Sequence, residues 1–107
     1  MSKPLNMTIL ERARTLIAEP DRWCRGSYAR GKGGASVSVR DPSAQRYCAM
    51  GALLLAAYET TGDVGQADEL AYSLARSLSE TGSLVFINDR QGHDAVLALF
   101  DKALAAA

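Results

Sequence analysis

Cysteine is scarce in this chain: its 107 residues hold two, Cys24 and Cys48. Two cysteines make no disulfide framework, so the fold must rest on an ordinary apolar core. Histidine and tryptophan occur once each, as His93 and Trp23, which leaves a single imidazole for any acid–base chemistry. Net charge is missing too. Twelve Lys and Arg offset twelve Asp and Glu, so the basic surplus that usually accompanies nucleic-acid binding is absent. No apolar run approaches the roughly 20 residues needed to cross a bilayer. The opening "MSKPLNMTIL" also lacks the sustained apolar stretch of a secretory signal. These absences point to a cytoplasmic protein with reduced thiols, no cofactor, and neither membrane nor nucleic acid as its partner.

What is present suffices for one domain. An apolar fraction of 48% at this length supports one buried core and not two. Charge is segregated although it sums to zero. The stretch 21–46 carries six bases (Arg22, Arg25, Arg30, Lys32, Arg40 and Arg46) against Asp21 and Asp41. Acids gather after Tyr58, at Glu59, Asp63, Asp68, Glu69, Glu80 and Asp89.

Residues 1–7 read as a flexible leader to a single helical domain over 8–107. Thr8 and Glu11 have capping-box spacing, and Ile9, Ala13, Leu16 and Ile17 follow at helical intervals until Pro20 ends the helix at or before Glu19. Asp41-Pro42 has the form of a cap with proline in the first turn, predicting a helix over about 42–60. Its "CAMGALLLAAY" is apolar on most sides, which makes it central. Gly62 stops it. Asp63 with Gln66 caps a third helix whose buried stripe is Ala67, Leu70, Ala71, Leu74 and Leu78, closed by Gly82. The last helix runs from about Gly92 to Ala105 with Val96, Leu97, Phe100 and Leu104 inward. "SLVFI" at 83–87 is too short for a helix and rich in strand formers, so a short strand or buried turn is expected there. In the glycine-rich 25–40 stretch, Val37 and Val39 alternate with serines and pair with 28–30 as a small hairpin, or the stretch is a loop. The expected fold is mainly α: a compact single-domain bundle of about four helices with a small irregular or β-hairpin insert.

Two stretches echo each other, "DRWCRGSY" at 21–28 and "QRYCAMGAL" at 45–53. Each carries Arg, an aromatic residue and Cys, and a glycine follows. Trp23 after a helix stop is expected to plug the core, inserted against a small face made by Cys48, Gly51 and Ala52. The competing expectation makes Arg22, Trp23, Arg25 and Arg46 a binding site, with guanidinium groups holding an anionic small molecule or a protein partner.

Cys48 also has two readings. It is a buried thiol at a tight helix crossing, where Gly51 lets another backbone approach. Alternatively the helix starts late, near Tyr47, so that its N-terminus activates the thiol as a nucleophile. His93 would then be the base and Asp89 or a neighbour its orienter, the parts of a small thiol-dependent hydrolase or transferase. Cys24, Cys48 and His93 lack the close spacing of a zinc site. "GSYARGKG" at 26–33 matches the first seven positions of a phosphate-binding loop, with Lys32 in the lysine position. Gly33 replaces the magnesium-binding hydroxyl and no helix former follows, so a basic hairpin tip that binds no nucleotide is expected.

From about Ile9 to Leu104 the chain resembles a family of small bacterial and phage proteins classed as a domain of unknown function. "ARTLIAEPDRWCRGSYAR", "DPSAQRYCAMGAL", "IND" and "HDAVLALFDKAL" carry the resemblance. It implies a compact single domain and brings no activity or catalytic residue with it. Two functions remain: a non-catalytic helical module with a basic face around 22–46, and a thiol enzyme built on Cys48 and His93.

Overall fold

The first helix begins earlier than Thr8. In the computed structural model, which describes residues 3–79 and 82–106, α1 spans Leu5–Leu16 with Pro4 in the cap position. Thr8 is not the cap: its N–H and its hydroxyl both donate to the Pro4 carbonyl, at 3.2 and 3.4 Å. Glu11 pairs with Lys3 at 2.8 Å rather than closing a capping box. Pro20 opens a single 3-10 turn over Pro20–Arg22.

The second helix is shorter than 42–60. Asp41 does not start it; its carboxylate accepts from Ser43 N and Oγ at 2.8 and 2.7 Å, closing a local turn. Those two bonds hold the Asp41 carboxyl below the usual carboxylate range. Helix α2 spans Ala49–Thr61 and its N-cap is Cys48, whose Sγ accepts from Gly51 N at 3.3 Å. Ala49, Met50, Gly51, Ala52, Leu53, Leu54, Ala56 and Ala57 are buried, which covers all sides of the cylinder. It packs against α1 and against the later helices α3 and α4 described next, so it is central as its composition predicts.

Gly62 ends α2 in the left-handed conformation (φ 71°). Asp63 then caps α3, Val64–Leu78, accepting from Gln66 N at 2.9 Å. Ala67, Ala71, Leu74 and Leu78 are buried along its inner face, with Leu70 half-buried. "SLVFI" is neither strand nor turn. It forms the start of α4, Leu84–Gln91, with the Ser83 hydroxyl accepting from Phe86 N at 3.4 Å. Burial of Leu84, Ile87 and Asn88 on one face outweighs the strand preference of Val85, Phe86 and Ile87. Gly92 (φ 96°) separates α4 from α5, His93–Ala105. The bundle therefore has five helices among the described residues, one more than expected. Phe100, Ile9, Ile17, Leu53 and Val96 are its largest fully buried apolar side chains.

The long connection between α1 and α2 folds as a miniature sheet. Strand β1, Ala29–Arg30, pairs antiparallel with β2, Arg46–Tyr47, with Ala29 opposite Tyr47 and Arg30 opposite Arg46. The expected 28–30 to 37–39 hairpin is reduced to one bridge, Arg30 with Ser36, and a bond from Val37 N to Ala29 O. On the other side of β2 a parallel bridge joins Tyr47 to Trp23, and Cys24 N donates to Tyr47 O at 3.1 Å. The two echoing triplets thus lie side by side.

A candidate binding face and the asparagine that clamps it

Asn88 on α4 is fully buried and all its hydrogen-bonding capacity is used. Its Oδ1 accepts from Trp23 Nε1 at 2.7 Å and from Ala49 N at 2.9 Å. Its Nδ2 donates to Cys24 O at 3.0 Å and to Asp89 Oδ1 at 3.1 Å. In an uninterrupted parallel ladder the rung after Cys24 N to Tyr47 O would join Ala49 N to Cys24 O. The Asn88 carboxamide occupies that rung, standing in for a peptide group. Asp89 extends the clamp by accepting from Gly26 N at 3.0 Å. The expectation of Asp89 or a neighbour as an orienter for His93 missed this role of Asn88. Its one visible signal is a polar residue following the apolar face of a Ser83-capped helix.

Gly51 explains the tight approach to α2. A Cβ at that position would overlap the Tyr28 carbonyl oxygen. That carbonyl accepts from Cys48 N at 3.2 Å, so the segment ending in β1 docks directly on the first turn of α2. The place beside Gly51 therefore belongs to Tyr28, not to Trp23 as expected.

Trp23 is half-buried and packs beside His93, with ring centroids 5.4 Å apart and planes tilted by 38°. The Arg25 guanidinium sits 5.0 Å from the indole centroid on a cation–π contact. His93 Nε2 donates to Ile17 O at 2.6 Å, which fixes the ring proton on Nε2 and ties the start of α5 to the end of α1.

Arg22, Arg25 and Arg46 are exposed. Among the described residues the ion pairs are Lys3–Glu11, Arg12–Glu59 and Arg14–Asp101, and none involves a base of the 21–46 stretch. Arg30 is occupied by the Gly34 and Arg25 carbonyls, and Arg40 lies over the Tyr58 ring. Beside Arg22 opens a cleft of about 340 Å³ lined by Leu16, Asp21, Arg22, Ala44, Gln45 and Tyr47. A cleft of similar size, about 360 Å³, lies away from this face, where Lys102 is its one charged lining residue. At the glycine turn, Lys32–Gly34 forms a 3-10 turn broken by Gly33 at φ 80°, and no helix follows it.

The helix N-terminus does reach Cys48, but burial dominates. With 1% of its surface exposed, the Cys48 thiol is pushed up to about 11 by desolvation, against the lowering effect of the Gly51 and Met50 N–H groups. Desolvation also raises the Cys24 thiol, opposed by Arg30 and Arg46. Cys48, His93 and Asp89 are each committed to other partners, and no hydrogen bond joins any two of them among the described residues. The described residues hold no cluster of three metal-ligating side chains, and no described helix is long and apolar enough to cross a membrane.

This small helical fold, with a clamped connection and a basic face, coincides with a family match over nearly the whole chain. Residues 1–106 match the model of a family of unknown function (DUF6197), and the chain belongs to that family. Neither a curated protein nor a solved structure shows a significant match.

Proposed function

We propose that this protein is a non-catalytic binding module that docks an anionic ligand or the acidic surface of a protein partner on Arg22, Arg25 and Arg46, with Trp23 at the centre of the face. One observation carries this: exposed guanidinium groups without ion-pair partners among the described residues stand on a segment that Asn88 holds in place. Pre-positioned charge lowers the ordering cost of binding and steers an oppositely charged partner. A cytoplasmic setting, inferred from the two unpaired cysteines, fits this role. The thiol-enzyme reading draws on Cys48 at the start of α2, but a thiol pushed up to about 11 is protonated near neutrality. Calorimetric titration with a polyglutamate peptide and with inorganic phosphate, at low and high salt, tests the proposal. Wild-type binding should weaken with salt and fall at least about tenfold when Arg22, Arg25 and Arg46 are all changed to Glu. Equal affinity in the folded triple variant overturns it.

A further inference from the structure

The parallel bridge between Trp23 and Tyr47 makes Cys24 and Cys48 the next pair in register. Side chains alternate along extended chain, so both thiols lie on the face opposite Trp23 and Tyr47. Neighbouring strands run about 4.8 Å apart, inside the roughly 4.4–6.8 Å Cα separation that a disulfide spans. The Asn88 carboxamide enters only at the rung beyond this pair. Both cysteines are free and buried. Asp89 raises both thiols and charge on Cys24 raises Cys48, as expected of two sulfurs in one pocket. The chain has no third cysteine to compete.

We infer that Cys24 and Cys48 are a latent disulfide pair, closed by exchange with a low-molecular-weight disulfide such as oxidised glutathione. The thiolate of Cys24, the more exposed of the two at 6% against 1%, attacks one sulfur of the reagent. The reagent S–S bond breaks, and the first glutathione leaves as a thiol with the proton. Cys48 then reacts through its small thiolate fraction, which the neighbouring mixed disulfide captures: it attacks the Cys24 sulfur, expels the second glutathione and gives up its proton to it. Two protein thiols lose two electrons and two protons, and one glutathione disulfide becomes two thiols. The bond would close the loop that holds Arg25, β1, the glycine turn and β2. Oxidation would then lock the connection that Asn88 and Asp89 otherwise hold from α4, while leaving Arg22 outside the loop.

The test uses the full chain, incubated with oxidised glutathione, then denatured in acid and alkylated. The expected product is a monomer lighter by two hydrogens with no alkylatable thiol, and a peptide map that links Cys24 to Cys48. Its melting temperature should rise by about 15 °C, the stabilisation expected from cross-linking a loop of this length. Cys24→Ser should keep one alkylatable thiol and show no such rise. Two alkylatable thiols after prolonged exposure, glutathione adducts that do not resolve, disulfide-linked dimers, or a melting temperature that falls on closure would each overturn the inference.

Discussion

Replacing Asn88 by Leu removes the clamp while keeping the branched heavy-atom skeleton of the side chain. Four bonds disappear: those from Trp23 Nε1 and Ala49 N, and those to Cys24 O and Asp89 Oδ1. Asp89 keeps Gly26 N, and the half-buried Trp23 ring can regain water. Ala49 N and Cys24 O are left in the interior without partners. At about 1–3 kcal/mol for each stranded buried group, the loss is roughly 2–5 kcal/mol after a small gain from the new apolar side chain. Total stabilities of small domains are about 5–15 kcal/mol, so the deficit would be large. Urea unfolding followed by circular dichroism and by Trp23 fluorescence measures it. A loss below about 1 kcal/mol would refute the hub role, since even one stranded group exceeds it. Asn88→Asp separates hydrogen bonding from shape. At neutral pH the introduced carboxylate can accept from Trp23 and Ala49, but it faces the Cys24 carbonyl and Asp89 with no proton to donate. Its folded-state pKa is raised, so stability is present below the unfolded value and lost as pH rises. The deficit relative to wild type should narrow between pH 7 and pH 5.

Gly51→Ala places a methyl group against the Tyr28 carbonyl, a backbone atom with no side-chain freedom to move. It should destabilise by about 3 kcal/mol or more despite the better helix propensity of alanine, and a neutral result in thermal unfolding contradicts the close docking of β1. Trp23→Ala should cost about 2–4 kcal/mol, less than for a fully buried ring, and Trp23→Phe should isolate the indole bond at about 1–2 kcal/mol; a Trp23→Phe variant as stable as wild type in denaturant titration would deny Asn88 Oδ1 its part. Burial pushes the Cys48 thiol up to about 11, so folding keeps a proton that the unfolded chain releases first. Its contribution is complete below the unfolded value and is lost as pH rises from about 9 to about 11. Cys48→Ser should flatten that alkaline decline, with a smaller loss of stability at neutral pH than Trp23→Ala; an unchanged slope counts against the buried thiol.

Local signals carried the parts of the fold that are local. The Gly62 stop, the Asp63–Gln66 cap, the inner face of α3 and the start of α5 all rest on neighbours within a turn or two, and the structure reproduces them. Asp41-Pro42 misled because Asx turns and helix caps use the same short carboxylate to reach a nearby N–H. "SLVFI" misled because tertiary burial of Leu84, Ile87 and Asn88 overrides strand propensity in so short a segment. β1 pairs with β2 across the glycine turn rather than with Val37, a choice set by the docking of Tyr28 on Gly51 and by Trp23 beside Tyr47. For the candidate site, the sequence displayed the paired triplets, the basic stretch and the need for a small residue at Gly51. Asn88 lies 65 residues from Trp23 and 39 from Ala49, and no periodicity links such positions.

On the proposed function, the clamped basic face around Trp23 binds anions. A backbone amide NMR titration with a polyglutamate peptide at low salt tests it most directly, because each amide and the single indole N–H reports its own surroundings. Shifts confined to Arg22–Arg25, Gln45–Tyr47 and the Trp23 indole, reversed by added salt, are the predicted result. Saturable shifts confined to α3 or α5, or no shifts at any peptide concentration, would contradict it.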